Sequence, residues 1–130
     1  MIAIDTNVLA RLLTQDEPGQ TRRAIALQEA NSLYVSKTVL LETEWVLRSF
    51  FKRDPETIHR LLTHFCGIET VIVEDEPIVQ QALMAFADGM DFADAMHLFS
   101  TGPAHTFATF DRELRKRARK RRPGVHVIEP

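Results

Sequence analysis

Short apolar runs of strand character alternate along this chain with longer segments of helical period. Met1 to Asp5 is a compact, β-rich apolar run that reads as a buried strand. Thr6 or Asn7 can cap a helix running through Leu13, and Gln15-Asp-Glu-Pro-Gly breaks it. A second helix is expected over about Gln20 to Glu29, a second strand at Leu33-Tyr-Val-Ser, and a long helix over Thr38 to Phe51. Asp54-Pro-Glu has the form of a helix start, with Pro at the first helical position. The helix that follows covers Thr57 to Phe65 and stops at Gly67; Thr70-Val-Ile-Val is a third strand.

The second half keeps the same rhythm. Ile78, Val79, Ala82, Leu83 and Phe86 form a one-sided helical stripe. A shorter helix from Asp91 to Ser100 ends before Gly102-Pro103. His105 to Phe110 reads as a fourth strand, Asp111 to Lys120 as a helix, Pro123-Gly124 as a turn and Val125 to Ile128 as a last strand. Strands alternating with helices predict an α/β fold: a parallel sheet covered on both faces. No internal repeat or flexible linker interrupts the 130 residues, so the expectation is a single domain over residues 1–130.

Acidic residues fall where the apolar segments end or turn. Asp5 closes the first strand and Asp111 the fourth. Glu42 lies in the second turn of the helix after the second strand, and Asp91 and Asp94 sit in Gly89-Met-Asp-Phe-Ala-Asp-Ala. Open α/β sheets bind ligands beyond the carboxyl ends of their strands, so distant segments can deliver these acids to one edge. Each also has a purely structural explanation. Asp5 can cap the next helix, Asp91 and Asp94 have capping-box spacing, and Asp111 opens a basic helix whose dipole favours it.

On the Thr38–Phe51 helix, Leu40, Leu47, Val39, Val46, Phe50 and Phe51 make an apolar arc with Glu42 at one border and Glu44 at the other. The two glutamates point in nearly opposite directions. Glu44 has Arg48 four residues on, the spacing of an exposed ion pair, which favours Glu42 as the functional acid.

Charge and composition add three things. The chain is 45% hydrophobic and 26% charged with net charge -2, ordinary for a globular domain large enough to bury a core. Arg112 to Arg122 holds eight of the sixteen Lys and Arg residues, leaving the remainder clearly acidic. That helix suits a solvated face, RNA phosphates, or an acidic partner; Arg115, Lys116, Arg119, Lys120, Arg121 and Arg122 are the candidate RNA contacts. The single cysteine excludes an intrachain disulfide and a thiolate cluster. With no leader-like start and no apolar run near the roughly 20 residues of a membrane span, the expected location is the cytoplasm.

Carboxylates without a Cys or His cluster suit the hard cations Mg²⁺ and Mn²⁺. Around such ions the natural chemistry is phosphodiester hydrolysis. His97, three residues after Asp94, is expected to be a structural histidine, and the other four histidines show no ligand spacing.

Ile4-Asp-Thr-Asn, the Glu42 helix, Asp91-Phe-Ala-Asp-Ala-Met-His and Thr109-Phe-Asp together resemble the PIN-domain family, in particular the VapC-type toxins of toxin–antitoxin pairs. The resemblance covers essentially the whole chain. It implies a three-layer α/β/α fold on a central, mostly parallel five-stranded sheet, and a Mg²⁺- or Mn²⁺-dependent endoribonuclease. By position it makes Asp5, Glu42, Asp94 and Asp111 the catalytic, metal-holding acids, Asp91 an additional acid, and Thr6, Asn7 and Thr109 supporting polar residues. It also implies an RNA substrate, a homodimer and a cognate VapB-like antitoxin.

Two other readings compete. A phosphatase of the haloacid-dehalogenase type requires a second acid two residues after the first, where this chain has Asn7. A non-catalytic module binding nucleic acid or a partner through the basic helix would not need Asp5 at all.

Overall fold

The computed structural model describes residues 1–130 and contains seven helices and five short parallel strands. The chain divides into two compact units, Met1–Glu76 and Pro77–Pro130.

In the first unit, β1 (Ile2–Ala3), β2 (Leu33–Val35) and β3 (Val71–Val73) form a parallel sheet in that order, with Ile2 opposite Leu33 and Leu33 opposite Val71. Parallel neighbours need long crossovers. Here α1 (Thr6–Thr14) and α2 (Pro18–Ala30) bridge β1 to β2, and α3 (Lys37–Ser49) and α4 (Pro55–Cys66) bridge β2 to β3. Leu9, Leu33, Val35, Leu40, Leu47, Ile58 and Leu62 are fully buried and make the core. The helix starts are capped by side chains: Asp5 for α1, Glu17 for α2, Ser36 for α3 and Asp54 for α4. Capping explains one departure from expectation. The Gln15–Gly19 breaker is shorter than it reads, because Glu17 caps α2 and Pro18 is its first residue.

The second unit holds most of α5 (Glu76–Ala87), then α6 (Phe92–Phe99), β4 (Thr106–Ala108), α7 (Arg112–Arg121) and β5 (His126–Ile128). β4 and β5 pair in parallel, with Thr106 opposite His126, and α7 packs on β5. The α5 stripe is buried as its period predicts, through Val79, Ala82, Leu83 and Phe86. Gly89, at φ 96, supplies the left-handed turn that brings Met90 inside and starts α6 at Asp91.

All five expected strands are present, but they hydrogen-bond as one ladder of three and one of two. Each is only two or three residues long, so little backbone is available to extend either ladder. No helix is long and apolar enough to cross a membrane.

Candidate metal centre

The first unit gathers two acids at the carboxyl ends of its strands. Ile4 extends β1 by donating its N–H to the Tyr34 carbonyl (3.1 Å), and the chain turns at Asp5 into α1. Asp5, and not Thr6 or Asn7, caps α1: Oδ1 accepts from the Val8 N–H at 3.0 Å, and Thr6 is already helical. That bond occupies one carboxylate oxygen of an exposed side chain, and the other remains available. Capping and metal binding are therefore compatible uses of the same residue. Glu42 is exposed on α3 and lines an open pocket of about 360 Å³ together with Asp5, Thr6, Asn7 and Thr38. Four of the expected site residues thus share one water-accessible hollow.

Glu44 departs from its expected place on the surface. It is 4% exposed, among the buried residues Leu40, Thr43 and Leu47 of α3. Its partner is the one the i, i+4 spacing predicts: Arg48 Nε donates to Oε2 at 2.9 Å. The inward face of α3 is therefore centred on residues 40, 43, 44 and 47, and the apolar arc is rotated away from it. Phe50, assigned to the apolar face, is 74% exposed. A buried carboxylate is tolerated here because the guanidinium neutralises it.

The second unit gathers three more acids. Asp91 caps α6 through Oδ2, which accepts from the Asp94 N–H at 3.0 Å, and Asp94 is half-buried in the first turn. Asp111 caps α7 through Oδ1 and the Leu114 N–H at 3.0 Å. Thr109 shapes that start, since its Oγ1 accepts from the Asp111 N–H at 3.1 Å. Burial first, and then the charges of Asp91 and Asp111, push the Asp94 carboxyl above its ordinary value, while His97 acts in the opposite sense. His97 itself is exposed, unlike the structural histidine expected from sequence. Its effect on Asp94 is electrostatic.

The donor chemistry fits a hard divalent cation. Every clustered candidate is a carboxylate, and within neither unit do three or more Asp, Glu, His or Cys side chains form a ready-made cage. Mg²⁺ is commonly held by one or two carboxylates with water completing its shell, which matches open, paired acids. A soft-metal alternative has no ligand to offer. Burial, and then the nearby Glu76 charge, push the Cys66 thiol up to about 12, so it stays protonated at neutral pH.

The basic helix proves to be partly internal scaffolding, a role that charge counting missed. Arg115 donates to the Thr109 carbonyl at 3.0 Å and pairs with Glu129 at 3.4 Å. Arg119 donates to the Val127 carbonyl at 3.1 Å, and Arg121 to the Met84 carbonyl at 2.8 Å while pairing with Asp88. Arg122 reaches the Leu98 carbonyl and Thr101 Oγ1 and lies over the Phe99 ring. Lys116 and Lys120 are exposed. So is Arg117, which the sequence candidates omitted and which shares a pocket of about 360 Å³ with Lys120, Arg121 and Asp88. Leu114 and Ala118 are buried, as their spacing predicts.

A family model described as PIN domain matches residues 2–120, a span that contains all five acids and most of the basic helix. No curated protein and no solved structure matches the chain.

Proposed function

The chain belongs to the PIN-domain family, and from that premise we propose that it is a Mg²⁺- or Mn²⁺-dependent endoribonuclease, the toxin of a toxin–antitoxin pair. PIN domains are generally nucleases and typically use divalent metal ions. The observation that carries the finer reading is the shared pocket of Asp5 and Glu42, lined by Thr6 and Asn7, at the carboxyl end of β1. The proposal treats residues 1–130 as one PIN-like domain built on a five-stranded sheet, working in the cytoplasm as a homodimer restrained by a cognate antitoxin.

In this reading Asp5, Glu42, Asp94 and Asp111 hold the metal, and Asp91 adds charge beside Asp94. When bound, the cation supplies a Lewis acid that activates water and offsets the charge of the scissile phosphate. Asp5, Asp91 and Asp111 each commit one oxygen to a helix start, which fixes the carboxylate and leaves the second oxygen for a ligand. Thr6 and Asn7 line the pocket floor; Thr109 orients the turn into Asp111. The exposed Lys116, Arg119 and Lys120, with the half-buried Arg115, Arg121 and Arg122, present positive charge to RNA phosphates.

The test is direct. In Mg²⁺, wild type should cut RNA and arrest growth on expression, and Asp5→Asn should do neither while remaining folded. Mg²⁺ should also raise the melting temperature of wild type and raise that of Asp5→Asn less. Growth arrest that persists in Asp5→Asn, with no cleavage by wild type in Mg²⁺, would instead favour the non-catalytic binding reading.

A further inference from the structure

Beyond Glu42 the acid-lined hollow continues into a second pocket of about 300 Å³, and the two share Thr6, Asn7 and Glu42. Its far wall is aromatic. Phe50 and Phe51 meet edge-to-face with ring centroids 5.0 Å apart, Phe51 is half-buried, and Phe50 is 74% exposed. The end of α3 fixes the pair. Phe50 and Phe51 N–H groups both donate to the Val46 carbonyl, Lys52 takes a left-handed φ of 56, and Arg53 N–H closes back on Leu47 at 2.9 Å. Lys52 and Arg53 are both exposed directly after the rings. Arg11 lines the same pocket, its guanidinium held by Gln20 (2.7 Å) and Asp16 (3.1 Å).

We infer that this pocket is a stacking subsite for an unpaired nucleobase next to the cut, with Phe50 and Phe51 as its platform. The inference rests on the nuclease reading above and adds the residues that hold a base of the substrate. An exposed ring followed by two cations is the chemistry of single-strand binding: the base face packs on the ring while lysine and arginine meet the phosphates. The remaining wall sets Thr6, Asn7 and Arg11 beside the apolar Ala10 and Val46, so hydrogen-bonding groups for a base edge adjoin apolar surface for its face. A duplex keeps its bases stacked inside and offers nothing to this platform. Continuity with the acid pocket places the bound base beside Glu42, where its own phosphate can reach the acids.

The test moves the chain's single tryptophan onto the platform, using Trp45→Phe with Phe50→Trp. In EDTA, so that no strand is cut, a short single-stranded RNA should quench the indole emission saturably. The matching duplex, and an abasic ribose-phosphate oligomer of equal length, should not. In the wild-type background, Phe50→Ala should weaken single-strand binding about tenfold, with an unchanged circular dichroism spectrum. Equal quenching by duplex or abasic oligomer, unaltered binding by Phe50→Ala, or quenching that follows protein concentration without RNA would each overturn the subsite; the last would make the rings a contact between copies. Cleavage without base-dependent quenching would remove only this inference. Base-dependent quenching without cleavage would remove the nuclease reading and leave the subsite standing.

Discussion

The starts of α4 and α6 look alike and behave oppositely. At α4, Asp54 caps the helix by accepting the Thr57 N–H at 2.7 Å; at α6, Asp91 does the same with the Asp94 N–H at 3.0 Å. Thr57, first through its N–H and then through its side chain, holds the Asp54 carboxyl below its ordinary value. In α6 the residue in that position is a second carboxylate. Asp94 is partly buried, faces the charges of Asp91 and Asp111, and is pushed up instead. The cap geometry is common to both. What differs is whether the neighbourhood relieves negative charge or concentrates it, and concentration without relief is the arrangement a bound cation would reward.

The largest expected effect separates the two starts by chemistry. Asp94→Asn should lower the initial rate of RNA cleavage in Mg²⁺ by at least about 100-fold, beyond what loss of an outer-shell partner costs a metal site. Asp54→Asn should leave that rate unchanged. Equal losses in the two variants would mean that Asp94 is no more than another cap.

The two glutamates of α3 extend the contrast within one helix. Arg48→Ala strands the buried Glu44 carboxylate and should cost about 2 kcal/mol in urea unfolding, reduced from the fully buried case because Arg48 is half exposed. Cleavage per folded molecule should survive. Glu42→Gln should do the reverse, keeping stability and losing cleavage. A stability loss in Glu42→Gln would place that side chain in the scaffold.

The smallest effect is a difference in slope. Asp94 has a folded-state pKa above 3.8, so the folded protein keeps a proton that the unfolded chain has already released. Its contribution therefore lowers stability as pH rises from 3.8 through the folded value. For Asp54 the folded value lies below 3.8, so its contribution is complete above 3.8 and is lost as pH falls through the folded value. Melting temperatures across the acid range in EDTA should show Asp94→Asn removing the first decline and Asp54→Asn removing the second. A profile for Asp94→Asn that parallels wild type would contradict the crowding of carboxylates around α6.

Local features were legible in the chain because they depend on residues three or four apart. The caps at Asp5, Asp54, Asp91 and Asp111, the buried α5 stripe and the Glu44–Arg48 spacing all follow from helical geometry alone. The Glu44–Arg48 pair is legible but the burial of Glu44 is not, because burial depends on what packs against a helix face. The eight-cation run was equally opaque. Arg121 and Arg122 reach carbonyls 37 and 24 residues away, and only folding brings those acceptors within a guanidinium's length.

By itself, then, the sequence determined the alternation of strands and helices and which acids stand at strand ends, since both are written in short-range periodicity. Tertiary structure decided the rest: that the strands pair as three and two, that Glu42 faces the pocket while Glu44 is inside, and that Asp94 is crowded by Asp91 and Asp111. It also left Phe50 in water beside the acids. These outcomes turn on packing and on charges brought close from distant positions, and no local pattern encodes the distance between them.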